Sequence, residues 1–294
     1  MTPGSALIPF LYALIILIWG STWLAIKIGL VGVPPFLGAG LRFALASAVL
    51  FALVAVQRRK ISVDRNGRIA ILSCGWLSFT VSYACVYWAE QYISSGLTAI
   101  LYCLMPLATA LLSRYWTRSE TLSTRKVVGI MIGMLGTAVL FWPAETLTRM
   151  HLAGMAATLF SVLGAAVNLV MVKKYGRDTD VYAMNAWSMS LGAVCLLILS
   201  AAFERQSTVL WTAANVSAIV YLALAGSVVA FSSYFSLIKV MDATRLSLIT
   251  LIFPIVAVLL GRVILNEAIA PSAWAGMSLV LGGVAIAIIP AKRG

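Results

Sequence analysis

The chain has 294 residues, of which 62% are hydrophobic and 10% are charged, and its mean hydropathy is +1.01. Soluble chains are roughly 45–50% apolar and about 25% charged, so this composition excludes a water-soluble globular domain. The apolar residues come in blocks of about 20, the length of a helix that crosses a bilayer. This pattern excludes a disordered chain and argues against a β-barrel, whose strands alternate apolar and polar residues.

Turn residues and charges divide the chain into ten predicted helices. They cover residues 6–28, 35–56, 68–90, 95–115, 124–143, 151–172, 181–203, 215–238, 245–265 and 271–290. Most connections are short, so consecutive helices are expected to be antiparallel neighbours. The sequence therefore predicts an all-α membrane protein with ten transmembrane helices.

The basic residues are distributed unevenly between the two ends of the predicted helices. Lys27, Arg149, Arg205 and Arg262 fall on one side, Arg42 lies within predicted helix 2, and the other 16 of the 21 fall on the opposite side. Cytoplasmic loops of membrane proteins are enriched in Lys and Arg. The net charge of +12 is therefore explained by topology, with both termini in the cytoplasm, and nucleic-acid binding is not needed to explain it.

The two halves of the chain repeat one pattern. Pro106 aligns with Pro254 and Tyr83 with Phe231, each pair 148 positions apart. Each half contains five predicted helices, and an odd number makes the second half enter the membrane from the opposite side. The sequence thus predicts two inverted repeats, residues 1–146 and 147–294, within one membrane domain. Inverted repeats are typical of alternating-access transporters, whose substrate site lies near the membrane midplane.

The sequence resembles the drug/metabolite transporter superfamily, in its ten-helix bacterial exporter branch, over essentially the whole chain. The resemblance rests on Trp19-Gly20-Ser21-Thr22-Trp23 and on a proline followed by a glutamate in each half, Pro106 to Glu120 and Pro254 to Glu267. It implies a central cavity lined by helices 1, 3, 4, 6, 8 and 9, with helices 5 and 10 as scaffold. It also implies export of amino acids or related metabolites, with a likeness to the aromatic amino acid exporters.

Predicted helix 3 carries a stripe of aromatic residues that ends in a carboxylate. Trp76, Phe79, Tyr83, Tyr87 and Glu90 follow one another at spacings of three or four, which places them on one helix face. Phenol hydroxyls inside a membrane need partners, so the stripe indicates either a cavity wall or packing against neighbouring helices.

Further candidate cavity residues lie on four other predicted helices. Hydroxyls and amides inside a membrane either line a water-filled cavity or bond locally, and the tryptophans face either the cavity or lipid. The candidates are Trp19, Trp23, Tyr102, Asn168, Ser232 and Ser236.

Three residues suggest gating or charge recognition. Proline removes a helical hydrogen bond, so Pro106 and Pro254 predict paired mid-helix kinks, either as a gate or as static bends. Arg42 is the one cation well inside a predicted span, and it either binds a substrate carboxylate or extends outward to the membrane surface.

The sequence contains no motif for an enzyme or a cofactor. The single histidine, His151, and the nine acidic residues all lie in predicted loops or at helix ends. This pattern does not support a protease or a metal site, and there is no P-loop. Transport is therefore expected to follow the substrate gradient, or to be coupled to protons through a helix-end group such as Glu90.

The sequence as a whole predicts a multi-pass transporter of the bacterial inner membrane that exports aromatic or other apolar amino acids through a central cavity. Its expected partners are a small-molecule substrate and the lipid bilayer, and it is expected to be a monomer or weak homodimer without a cofactor. The alternatives are a proton-coupled drug or metabolite antiporter and a transporter of phosphorylated metabolites. The latter would need several cations that converge in the cavity.

Overall fold

The structure is a computed structural model that describes residues 7–59, 63–117, 123–140, 148–265 and 271–288. These residues form helices joined by short turns. We number the helices to match the ten predicted ones and divide the interrupted helices 4 and 9 into two parts. The helices are α1 Leu7–Leu30, α2 Pro35–Val56, α3 Arg65–Ala89, α4a Ser95–Tyr102, α4b Met105–Leu112, α5 Thr124–Leu140, α6 Arg149–Tyr175, α7 Val181–Phe203, α8 Ala213–Leu237, α9a Ala243–Ser247, α9b Ile249–Leu265 and α10 Pro271–Ile288.

Six helices, α1, α2, α3, α6, α7 and α8, are long and apolar enough to cross a membrane, with 22 to 27 residues each. At about 1.5 Å per residue, 22 residues reach roughly 33 Å, and the hydrocarbon core is ~30 Å thick. Large apolar side chains such as Leu17 and Phe10 are exposed on the outside of the bundle, as lipid contact requires. The predicted all-helical, multi-pass membrane class is confirmed.

Polar side chains start several of these helices by accepting bonds from their free N–H groups. Asp64 Oδ1 accepts from Gly67 N at 2.8 Å, and Asp180 Oδ1 accepts from Tyr182 N and Ala183 N. Thr212 accepts from the backbone N–H of Asn215, whose side chain accepts in return from Thr212 N.

The two halves share local devices at matching positions. The caps Asp64 and Thr212 are 148 positions apart. Helices α3 and α8 each contain a π-helical segment, Cys74–Ser82 and Leu224–Val229. These two helices also contain Tyr83 and Phe231, which the sequence repeat aligns with each other.

Helices α5 and α10, which the family resemblance implies as scaffold, pack through glycines. A Cβ on Gly129 would lie 2.5 Å from the carbonyl oxygen of Gly283, and one on Gly283 would lie 2.5 Å from Gly129 O. A Cβ on Gly136 would lie 2.6 Å from Val280 N and 2.8 Å from the carbonyl oxygen of Gly276. Only residues without a side chain allow this approach, and small residues are typical of close helix contacts in membranes.

The predicted paired kinks differ from what the structure contains. Helix 4 is interrupted at Cys103 and Leu104, so Pro106 lies in the first turn of α4b, where a missing N–H costs nothing. Pro254 lies inside α9b, and the interruption of helix 9 comes earlier, at Leu248. Glu120 and Glu267 of the family pattern lie outside the described residues.

Pro254 nevertheless leaves a backbone acceptor free, because proline cannot donate to the carbonyl four residues earlier. That carbonyl belongs to Thr250, and the thiol of Cys103 donates to it over 3.8 Å. Cys103 itself lies at the interruption of helix 4. The interruption in the first half therefore contacts the proline-disturbed turn in the second.

Candidate substrate cavity

A cavity of about 100 Å³, counted as the space open to the centres of water molecules, lies between helices from both halves and is partly open to its surroundings. Its walls come from α1, α3, α4a, α4b, α6, α8 and α9b, and α2 contributes Arg42. This set contains the helices that the family resemblance implies. The lining residues are Trp19, Thr22, Trp23, Ile26, Arg42, Ser78, Ser82, Tyr83, Val86, Tyr102, Met105, Ala165, Asn168, Leu169, Phe231, Tyr234, Phe235, Ile249, Thr250 and Phe253.

Trp19 is the centre of an aromatic wall made by α1, α8 and α9b. Its ring lies 4.9 Å from Phe231, 4.9 Å from Tyr234 and 5.9 Å from Phe253. Its indole nitrogen donates to the carbonyl oxygen of Gly226 at 3.1 Å. The hydrogen bond and the edge-to-face contacts hold the ring in one orientation against the cavity.

Another part of the wall combines rings with polar groups. Trp23 packs against Tyr102 with ring centres 5.5 Å apart, and its buried indole nitrogen has no hydrogen-bond partner among the described residues. The hydroxyl of Tyr102 is bonded to Ser161. Asn168 accepts from the Ser73 hydroxyl at 3.3 Å, so its amide, which is costly in hydrocarbon, is partnered.

Arg42 lies at the cavity wall with only 1% of its surface exposed. Its Nε donates to Ser227 Oγ at 2.9 Å, and its Nη2 donates to Gly226 O at 3.3 Å. Nη1 and Nη2 donate to the hydroxyl oxygens of Tyr87 and Tyr83 over 3.4 and 3.5 Å. The alternative that Arg42 extends outward to the membrane surface is therefore wrong, because its donors are bound inside the bundle.

The predicted stripe on helix 3 is divided by the structure. Tyr83 lines the cavity, whereas Tyr87 is buried behind it and reaches Arg42. Phe79 is fully buried, 4.9 Å from Phe43 and 4.8 Å from Phe231, so it supports the wall from behind.

Trp76 is 54% exposed and does not line the cavity, so its prediction as a cavity residue is corrected. The stripe was derived from an α-helical period, and Trp76 and Phe79 lie in the π-helical segment Cys74–Ser82. A π turn closes between residues five apart, which changes the angle between positions three apart. Trp76 consequently faces outward.

The serines of α8 also lie off the cavity. Ser236 Oγ donates to the carbonyl of Ser232 four residues earlier at 2.7 Å, the local bond that the packing interpretation expects. Ser232 is buried, and its hydroxyl has no hydrogen-bond partner among the described residues. Tyr234, between them in sequence, is the α8 hydroxyl that does line the cavity.

Glu90 follows the last residue of α3 and lies outside the lining set. It is 1% exposed, and neither carboxylate oxygen has a hydrogen-bond partner among the described residues. Burial raises the pKa of Glu90 to about 8, while the charge of Lys27 acts in the opposite direction. Lys27 Nζ donates instead to the carbonyl oxygens of Glu90 and Ile93, at 2.7 and 3.3 Å.

Sequence reasoning missed the backbone part of the site. The carbonyl of Gly226 accepts from both Trp19 and Arg42, and the hydroxyl of Ser227 holds the guanidinium. Both residues lie in the π-helical segment Leu224–Val229. π-Helical turns recur at functional sites, but a helical hydrophobic period does not reveal them.

Comparison with known proteins identifies relatives over nearly the whole chain. The model of the EamA-like transporter family matches it twice, over residues 7–142 and 152–289. The uncharacterized inner membrane transporter YedA of Escherichia coli K12 is 31% identical, across 96% of this chain and 92% of that protein. The uncharacterized transporter YoaV of Bacillus subtilis is 27% identical, across 91% of this chain and 92% of its own length.

A solved crystal structure has the same fold, with a TM-score of 0.82 and 21% sequence identity over 97% of both chains. The repeated family match agrees with the drug/metabolite transporter resemblance of the sequence. A membrane transporter of this kind lies in the lipid bilayer and acts on a small-molecule substrate. The chain is thus a multi-pass membrane protein and belongs to the EamA-like transporter family.

Proposed function

We propose that the protein exports aromatic or other apolar amino acids across the bacterial inner membrane through the central cavity. The observation that carries the proposal is the composition of the cavity wall. Eight of the lining residues are aromatic: Trp19, Trp23, Tyr83, Tyr102, Phe231, Tyr234, Phe235 and Phe253. Such a wall favours apolar and planar groups, and its hydroxyls offer hydrogen bonds to polar ends.

We also propose that ten helices cross the membrane as two inverted repeats, residues 1–146 and 147–294, which exchange access between the two faces. Two further observations support this. Lys27 in α1 donates to the carbonyls of residues 90 and 93, and Lys173 in α6 donates to those of residues 238 and 241. Residues 90 and 238 are 148 positions apart, and so are residues 93 and 241. Inverted repeats would place Lys27 and Lys173 at opposite faces of the membrane. We propose that both termini are cytoplasmic, because 16 of the 21 basic residues fall on the side that contains the termini and cytoplasmic loops are enriched in Lys and Arg.

The proposed transport is facilitated and needs neither a proton gradient nor a cofactor. Among the lining residues there is no Asp, Glu or His, so the described wall contains no group that would exchange a proton with the substrate. We expect a monomer or weak homodimer to be sufficient, because the cavity lies within one chain.

The test is a radiolabelled substrate screen with purified full-length protein in liposomes. Phenylalanine, tryptophan, leucine, lysine and glutamate are compared with and without a pH gradient. The proposal expects uptake of the aromatic and apolar members, unchanged when the gradient is collapsed. Uptake confined to lysine or glutamate, or no uptake of any amino acid, would contradict the proposed substrate.

The second candidate is a proton-coupled antiporter, and Glu90 is the observation that favours it. A buried carboxylate without partners can be charged or neutral according to the state of the transporter. Coupling through Glu90 predicts that a pH gradient drives uptake and that Glu90→Gln abolishes this dependence. Gradient-independent uptake by both proteins would exclude this candidate. A transporter of phosphorylated metabolites has less support, since Arg42 is the one cation among the lining residues.

A further inference from the structure

We infer that Arg42 binds the carboxylate of the substrate, and that the substrates are monocarboxylates with an aromatic or apolar body, whether or not they carry an amino group. This inference rests on the proposed function and specifies its substrate class. It extends that class from amino acids to organic acids of similar shape.

Arg42 carries a buried positive charge. A guanidinium is always protonated in proteins, and a buried charge is costly unless a counter-ion compensates it. All the groups that bond Arg42 are neutral: the hydroxyls of Ser227, Tyr83 and Tyr87 and the carbonyl of Gly226. Among the described residues no carboxylate forms an ion pair with it. The buried positive charge therefore lacks an anion within the described protein.

The terminal nitrogens of Arg42 have N–H donors that the protein uses only weakly. A guanidinium has five N–H donors in a fork that matches a carboxylate. Only the bond from Nε to Ser227, at 2.9 Å, has an ordinary length, and the three bonds from Nη1 and Nη2 are 3.3 to 3.5 Å long. The terminal nitrogens are thus held by weak bonds that an anion would outcompete. Tyr83 lies beside them on the cavity wall and can donate its own proton to the anion.

An aromatic wall lies next to Arg42. The carbonyl of Gly226 connects Arg42 to Trp19, whose ring packs against Phe231, Tyr234 and Phe253. A molecule with its carboxylate at Arg42 would place its body against this aromatic wall. Among the described lining residues there is no acidic side chain to pair with an ammonium group. The carboxylate is consequently the group that the site is built to recognise.

The test measures direct binding, so that it remains informative if transport is not observed. Calorimetry on the full-length protein in lipid nanodiscs compares 3-phenylpropionate, 3-phenylpropionamide and 2-phenylethylamine, which share a phenyl ring and differ in the polar end. We expect the acid to bind at least about tenfold more tightly than the amide or the amine, the ratio expected for one charge-assisted pair. Equal affinity of the acid and the amide, tighter binding of the amine, or no binding of the acid would overturn the inference.

Variants then assign the effect to Arg42. Arg42→Gln should lower the affinity for the acid to that for the amide, and should leave the amide unchanged. Arg42→Lys should restore part of the loss, because it keeps the charge without the fork. Arg59→Gln is the control, since Arg59 lies three residues beyond the end of α2, outside the cavity, and pairs with Asp180 at 3.0 Å. Unchanged acid binding in Arg42→Gln would refute the assignment, and the ligand series on the unmodified protein remains decisive if that variant does not fold.

Binding and transport separate the two levels of the proposal. Acid-selective binding without any uptake in liposomes would contradict the proposed transport function and retain the carboxylate site. Uptake of phenylalanine together with equal binding of acid and amide would retain the transporter and reject the role of Arg42.

Discussion

At the scale of single residues, the structure separates two tryptophans that the sequence treats alike. Trp19 lines the cavity and is bonded to Gly226, whereas Trp76 is 54% exposed on the outer surface. The difference arises from the π-helical segment around Trp76, which changes the direction of its side chain.

Replacing Trp19 by alanine should therefore change transport, whereas replacing Trp76 should not. Trp19→Ala removes an anchored ring from the wall and should change the preference between aromatic and aliphatic amino acids by about two- to tenfold, because an aromatic contact in a buried site contributes roughly 0.5–1.5 kcal/mol beyond its buried area. Trp76→Ala is the control and should leave the preference unchanged. Competition assays in liposomes measure both, and an equal effect of the two substitutions would show that Trp19 does not contact substrate.

The buried carboxyl of Glu90 should make the stability of the protein depend on pH. Its pKa of about 8 lies above the ordinary value for glutamate. Between these values the unfolded carboxyl is ionised while the folded one keeps its proton. The free energy of unfolding should therefore fall as pH rises through this range, by about 1.4 kcal/mol per unit, and level off above pH 8.

Glu90→Gln removes this titration, so its stability advantage over the unmodified protein should grow from pH 5 to pH 8 and then remain constant. Thermal unfolding of both proteins in the same detergent, from pH 5 to pH 9, measures the difference. Melting temperatures that run parallel over the whole range would show that Glu90 is not buried as a lone carboxyl.

At the scale of helices, the contact between α5 and α10 provides a matched pair of substitutions. A Cβ on Gly283 would lie 2.5 Å from the backbone of Gly129, while one on the neighbouring Gly282 would meet nothing within 4 Å. Gly283→Ala should separate the helices and cost about 1–3 kcal/mol. Gly282→Ala should be neutral or gain up to about 1 kcal/mol, since alanine favours helix. Thermal unfolding compares them, and similar melting temperatures would contradict the close packing of α5 and α10.

Elements were predicted best where hydrophobic length alone decides them. The predicted spans 35–56, 181–203 and 245–265 end where the structure ends α2, α7 and α9b. The interruptions at Cys103 and Leu248 were not predicted, because the proline signal lies after each break and the backbone bonds that open there depend on a neighbouring helix. The π-helical segments were not predicted either, because an extra residue in a turn leaves the overall hydrophobicity of the helix unchanged.

At the scale of the whole molecule, the sequence predicted a charge-poor membrane interior and the structure shows what occupies it. The cavity wall contains rings, hydroxyls and one guanidinium, Arg42. Periodicity could name Trp19, Tyr83 and Asn168 as candidates because they lie within spans. It could not distinguish the lining Tyr83 from the buried Tyr87, since that distinction depends on how α2, α3 and α8 pack together. It likewise could not find Ser227 or the carbonyl of Gly226, whose roles arise from tertiary contact with Arg42.

We propose that this cavity transports aromatic amino acids without an ion gradient. The most direct measurement is counterflow in liposomes: vesicles loaded with unlabelled phenylalanine are diluted into labelled phenylalanine at equal pH on both sides. We expect a transient accumulation of label that is absent from protein-free vesicles and strongly reduced in Trp19→Ala. A signal equal to that of protein-free vesicles, or one that arises only when a pH gradient is imposed, would contradict the account.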